Sequence, residues 1–284
     1  MKVRIFIVGA PKAGTTSLHY YLNEHPEILM SSVKEPDFFL EKEIDDLGLY
    51  YGTTRIETSD KYHNLFSDKK DEEIFGESSV SYLYYPEVPK RIKEYNTEAK
   101  IIIMLRNPVD RAFSHYLMDF KLGLLSDKFE DVFNKKEGLK FQQYFLLGNY
   151  YSQVKRYLDE FTKENVHIIW YSDFKKDAEQ EVQKAFKFID VDSPYKVNFE
   201  TVHNSFVMPK GKIIRKIYSI VWLRKLLLFL FPFTLVTFIK STLFTKGEKP
   251  KITNESRKIF TEYYLDDICK LEALLSINLS EWRK

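Results

Sequence analysis

The sequence predicts an α/β protein built on a central parallel sheet, and three observations predict it. Apolar, β-branched runs recur between stretches of helical periodicity, the pattern of strands buried on both faces and joined by crossover helices. The first run, Val3–Val8, passes through a glycine-rich turn directly into a helical stretch. The length, 284 residues, suffices for one large domain of this class. The strand candidates are Val3–Val8, Glu27–Met30, Ile74–Glu77, Lys100–Leu105 and Val166–Trp170. Between them lie the helical stretches Thr15–Asn23, Glu87–Tyr95, Pro108–Phe120, Tyr151–Phe161 and Asp177–Phe188. A last helix is expected to begin near Asn254, with Glu255 in its first turn and Ile259, Tyr263, Leu271, Leu274 and Leu275 at helical spacing. The architecture expected is a P-loop-like three-layer sandwich with extra C-terminal helices. One domain over 1–284 is expected, with 1–190 as its α/β core and 191–284 as a loop and helical part.

The turn reads Gly9-Ala10-Pro11-Lys12-Ala13-Gly14-Thr15-Thr16. Backbone N–H groups and the positive end of the helix dipole in such a turn point at an anion. A Walker A loop has the same outline but ends in Lys and Ser/Thr. Here Thr15 stands in the lysine's place, and the loop's lysine is Lys12, on its crest. The ligand is therefore expected to be a phosphate compound other than an ordinary nucleoside triphosphate.

Composition narrows the class. With 43 basic and 41 acidic residues the net charge is +2, too small to argue for nucleic acid. The single cysteine, Cys269, excludes an internal disulfide. The first strand starts within three residues of Met1, which leaves no space for a signal peptide and makes a cytoplasmic location the expectation. Aromatic residues are plentiful, 23 Phe and 19 Tyr, enough for a large core and a stacking surface. Leu226–Ile239 is uncharged and flanked by Arg224, Lys225 and Lys240. It falls short of the roughly 20 residues a spanning helix needs, and Pro232 interrupts it. A buried or subunit-facing helix pair is one reading of 226–239; a patch making peripheral membrane contact is the other. Lys246–Lys251 reads as a solvated linker.

Four segments follow strands and should meet at the sheet's carboxyl edge. They are the Lys12 loop, Lys34-Glu35-Pro36-Asp37-Phe38-Phe39, Gly76-Glu77-Ser78-Ser79, and Leu105-Arg106-Asn107-Pro108 with Ser114 on the helix that follows. PKAGTTSL, KEPDFF, LRNPVDRAFSHY and GNYYSQVKRYL together resemble the sulfotransferases that use 3′-phosphoadenosine 5′-phosphosulfate (PAPS). The resemblance is strongest to the carbohydrate-acting kind related to the heparan sulfate N- and 3-O-sulfotransferases. It runs from Val3 to about Phe188 and returns in the C-terminal helix.

The resemblance implies a PAPS donor and the product adenosine 3′,5′-bisphosphate (PAP). The residues show no His, Cys or Asp/Glu cluster at ligand spacing, so no metal requirement is expected, and with no anchor read a bacterial-type cytoplasmic enzyme is expected. The acceptor it implies is a saccharide, glycolipid or other small molecule. It makes Lys12 the residue that contacts the 5′-phosphate and the bridging oxygen, with Pro11, Ala13, Gly14, Thr15 and Thr16 completing the donor loop. Arg106 and Ser114 match the pair that holds the 3′-phosphate, a task suited to an always-charged, forked guanidinium. Lys210-Gly211-Lys212 resembles, more loosely, a segment closing over that phosphate. Glu35 stands where the catalytic base is kept, its proton affinity expected to be raised by burial beside Phe38 and Phe39. Lys34, Ser78, Tyr150 and His203 are candidate acceptor-side residues. Ser78 departs from the pattern, because heparan-type relatives carry a lysine directly after the glutamate.

Plainer readings stand beside these. Glu35 could pair with Lys34, Arg106 with Asp110, and His115 could be a packed histidine. Acceptor choice is expected on the loops Leu40–Asp71 and Gly123–Tyr144, neither of which carries a readable code. The competing functions are a P-loop nucleotide or small-molecule kinase and a catalytically silent nucleotide-binding protein. Oligomeric state is not legible.

Overall fold

A computed structural model of the chain describes residues 2–40, 43, 56–68, 74–122, 125, 127–191, 195–199, 208–209, 244–245 and 251–284. Its first strand, β1 (Ile5–Gly9), is buried along its whole length and runs into α1 (Thr15–Asn23). Next come β2 (Ile28–Met30) and a short helix α2 (Ser59–His63), then β3 (Ile74–Ser78) and α3 (Val88–Tyr95). β4 (Lys100–Leu105) leads into α4 (Pro108–Leu122), which opens on proline where an N–H would have no partner. Two helices follow, α5 (Phe129–Lys135) and α6 (Gly138–Tyr144), and then α7 (Tyr150–Glu160). The edge strand β5 (Val166–Trp170) is succeeded by α8 (Tyr171–Lys176) and α9 (Ala178–Phe188). Two-residue strands β6 (Met208–Pro209) and β7 (Phe244–Thr245) pair antiparallel, and α10 (Asn254–Leu275) is the long C-terminal helix.

The five-stranded sheet has the order β2-β3-β1-β4-β5, and every pairing in it is parallel. Parallel neighbours require crossovers, and right-handed crossovers send α1 to one face and α3 and α7 to the other. The packing agrees: α1 lies against β1–β3 and α9, while α3 meets α7 and α7 meets α10. The chain leaves β1 towards β2 but leaves β4 towards β5, so the loops after β1 and β4 diverge. In an open α/β sheet that divergence marks the crevice at the carboxyl edge where ligands usually bind.

Three features differ from the sequence reading. The segment 123–144 is no loop: α5 and α6 occupy most of it, and Phe133 packs on Phe260 of α10 at 4.8 Å. Within Leu40–Asp71, α2 carries the fully buried Tyr62. In α10 the buried apolar positions are Phe260, Tyr264, Ile268 and Leu271. Leu271 is as expected, but the expected Ile259 is 50 % exposed, and Phe260 and Tyr264 are buried one residue after the expected Ile259 and Tyr263. That helix is capped by Thr253, whose hydroxyl accepts from the Ser256 N–H at 3.1 Å.

Candidate functional site

The loop after β1 is shaped by two residues of positive φ. Lys12 (φ 69°) and Gly14 (φ 97°) both lie in the left-handed region. Gly14 is required twice over: its conformation disfavours a side chain, and an added Cβ would meet Met104 and Tyr171 at 3.3 Å. The loop is tied to the sheet by the Ala10 N–H, which donates to the Met104 carbonyl at 2.7 Å. Pro11, Ala13 and Thr15 are buried, while Thr16 is partly open.

The Lys12 ammonium donates to Met118 Sδ of α4 at 3.3 Å. Burial pushes that ammonium down to about 8; Asp119 and Glu35 oppose the shift, and Arg106 and Lys34 add to it. Lys12, Glu35, Arg106 and Lys34 therefore share one electrostatic neighbourhood. Met118 lies one helical turn beyond Ser114 on α4, so the two share the face that looks toward Lys12.

Arg106 sits where β4 ends. Its Nη1 donates to the Lys12 carbonyl at 3.0 Å, and its guanidinium lies 4.6 Å from the Tyr171 ring centre. Its Nε is buried without a hydrogen-bond partner among the described residues. Asp110 is not its counter-ion, since Asp110 pairs with Arg257 of α10 at 2.6 Å. A guanidinium bound on one side and unpaired on another suits an oxyanion ligand.

Glu35 is left-handed (φ 63°), and its N–H donates to the Ser78 carbonyl at 2.9 Å. Its carboxylate pairs with Lys34, as the plainer reading allowed. The expected burial beside Phe38 and Phe39 is absent. The side chain is 37 % exposed, because the two rings turn inward, Phe38 stacking on Tyr62 at 4.2 Å and Phe39 packing on Phe6 at 5.7 Å.

Other candidates are placed differently. Tyr150 is 1 % exposed, and its hydroxyl donates to the Arg106 carbonyl at 2.9 Å. It supports the Arg106 turn and is closed to an acceptor. Ser78 is fully buried in β3, its hydroxyl without a partner among the described residues, and so is not an open acceptor contact either. His115 is a packed residue against Tyr144, with burial holding it well below the usual histidine range. His203, Lys210, Gly211, Lys212 and the segment 226–239 lie outside the described residues; among those described, no helix is long and apolar enough to cross a membrane.

Several site residues escaped the sequence reading. Met118 was within reach of it, being Ser114 plus one turn. Tyr171 was not, because nothing in its own segment signals that it stacks on Arg106. A buried carboxyl pair lies behind Glu35. Glu77 is fully buried and pushed up to about 7 by desolvation, against the hydroxyls of Tyr62 and Ser79 that stabilise its charge. Burial likewise pushes Asp37 up to about 7, with Ser81 Oγ donating to Oδ1 at 2.5 Å in opposition.

Lys12, Arg106 and Glu35 follow three strands of one parallel sheet, an arrangement in keeping with an α/β enzyme. The chain belongs to the sulfotransferase family: the sulfotransferase domain matches residues 2–225. A solved sulfotransferase from Alicyclobacillus acidocaldarius superposes with a TM-score of 0.75 at 29 % identity, covering 100 % of both chains. Carbohydrate sulfotransferase 15 of Mus musculus is 25 % identical over 242 residues, 66 % of this chain and 43 % of the relative. Heparan sulfate glucosamine 3-O-sulfotransferase 6 of Mus musculus is 34 % identical over 110 residues, 39 % of this chain and 28 % of the relative. The chain thus spans less than half the length of these curated relatives. The resemblance stated from the motifs, to the carbohydrate-acting sulfotransferases, agrees with these matches.

Proposed function

We propose that the chain transfers a sulfuryl group from PAPS to a hydroxyl or amine of a saccharide or glycolipid. The observation that carries the reading is that Arg106 donates to the Lys12 carbonyl while Glu35 and Arg106 both act on the Lys12 ammonium. In this reading the acceptor O–H gives its proton to the Glu35 carboxylate while its oxygen attacks sulfur. The bond from sulfur to the 5′-phosphate oxygen breaks, and PAP leaves. Lys12 stabilises the charge that develops on the departing phosphate, the electrostatic contribution that usually dominates. Arg106, with Ser114, holds the 3′-phosphate, and the N–H groups of residues 13–16 hold the 5′-phosphate.

The saccharide acceptor is inferred from the names of the carbohydrate and heparan sulfate relatives. A kinase is disfavoured because Thr15 stands at the Walker lysine position and the loop lysine lies on the crest. The test is transfer of labelled sulfate from PAPS to desulfated heparan, a glycolipid and p-nitrophenol, each as a separate acceptor. Glu35→Gln should lower transfer by roughly 10²–10⁴-fold while keeping PAP binding. Full turnover in that variant would remove Glu35 as the base.

A further inference from the structure

Behind Glu35, Glu77 makes a set of hydrogen bonds that the transfer chemistry does not use directly. Its Oε2 accepts from Ser79 Oγ at 2.8 Å, and its Oε1 accepts from the Tyr62 and Tyr82 hydroxyls at 2.8 and 3.2 Å. A hydroxyl has one proton and two lone pairs, so a proton committed to Glu77 leaves the oxygen to accept. Two of these hydroxyls do accept, and both bonds come from the Glu35 loop. The Asp37 N–H donates to Ser79 Oγ at 3.1 Å, and the Phe39 N–H donates to the Tyr82 oxygen at 3.1 Å.

That loop needs holding. Glu35 (φ 63°) and Asp37 (φ 51°) bear side chains in the left-handed region, a conformation that persists only where surrounding bonds impose it. Two further bonds, from the Glu35 N–H to the Ser78 carbonyl and from Ser81 Oγ to Asp37, arise from the same strand end. Tyr62 adds a third element, since it bonds Glu77 and stacks on Phe38 of the loop.

We propose that Glu77 is a positioning residue: its carboxylate fixes the Ser79 and Tyr82 hydroxyls as acceptors for the Glu35 loop and so sets the placement of Glu35. The proposal rests on the reading of Glu35 as the base. Glu77 touches neither donor nor acceptor; it acts through two hydroxyls and two amides.

Hydrogen–deuterium exchange tests it without requiring the acceptor. In Glu77→Gln the amide can no longer accept the protons of all three hydroxyls. Exchange in the peptide covering residues 34–40 should rise by about tenfold, the scale of one weakened hydrogen bond. Exchange in β1 and the affinity for PAP should stay at wild-type values, which a general loss of structure would not allow. Donor turnover, read as PAPS consumption with desulfated heparan or with water as acceptor, should fall with it. Unchanged loop exchange in folded Glu77→Gln overturns the proposal.

Should Glu77→Gln fail to fold, Ser79→Ala carries the test. It should free the Asp37 amide, while Ser79→Thr, which restores a hydroxyl, should protect it again; equal exchange in the two overturns the proposal. Failure of the underlying reading has a different signature: Glu35→Gln would then retain turnover while Glu77→Gln still loosened the loop.

Discussion

Lys12 is the residue on which the electrostatics of the crevice converge. Burial pushes its ammonium down to about 8, so at pH 8 and above an empty crevice holds part of its Lys12 neutral. A phosphate dianion bound beside it favours the charged form, and binding must then take up a proton. Calorimetry of PAP binding at pH 8.5, in two buffers of different ionisation enthalpy, should show proton uptake that disappears in Lys12→Ala. Affinity should weaken as pH rises above 8. Phosphate itself titrates near 6, too low to account for the uptake. Arg106→Ala should weaken PAP binding roughly 10–100-fold, the loss expected for charge-assisted bonds to one group. Unchanged affinity would take the 3′-phosphate away from Arg106.

At the scale of elements, α7 starts at Tyr150 with its cap supplied from elsewhere in the chain. Asp267 of α10 accepts from the Tyr150 N–H at 2.7 Å and the Tyr151 N–H at 3.2 Å, doing across two helices what a local cap residue does within one. Asp267→Ala should destabilise the fold by about 1–2 kcal/mol, read by urea unfolding, and leave the m-value unchanged. The same arrangement shows what the sequence could and could not disclose. Strand periodicity and the Gly9–Thr16 turn are local signals, and they located all five sheet strands and the turn that joins β1 to α1. The α7 cap, the Tyr171 stack on Arg106 and the burial of Tyr150 join residues dozens of positions apart, and no local pattern encodes them. Residues 123–144 lacked a regular apolar stripe because α5 and α6 are short and bury aromatic rings against α10. Glu35 was correctly put at the sheet edge but wrongly given a buried setting, since the direction of Phe38 and Phe39 depends on Tyr62 and Phe6.

At the scale of the whole molecule, the buried carboxyls give stability an uncommon pH dependence. Glu77 and Asp37 are pushed up to about 7 in the fold, whereas the unfolded chain holds them near 4.5 and 3.8. Between those values the folded chain binds more protons, so stability from these groups is greatest at low pH and is lost as pH rises through about 7. Urea midpoints from pH 5 to 8 should therefore fall more steeply in the wild type than in Glu77→Gln; parallel profiles would contradict it. The proposed donor site lies by the loops after β1 and β4, and what binds there decides the functional reading. The most direct measurement is calorimetric binding of PAP without metal, beside ATP with magnesium. Tight PAP binding, weakened in Arg106→Ala, is the expected result; preference for ATP with magnesium would contradict it and restore the kinase.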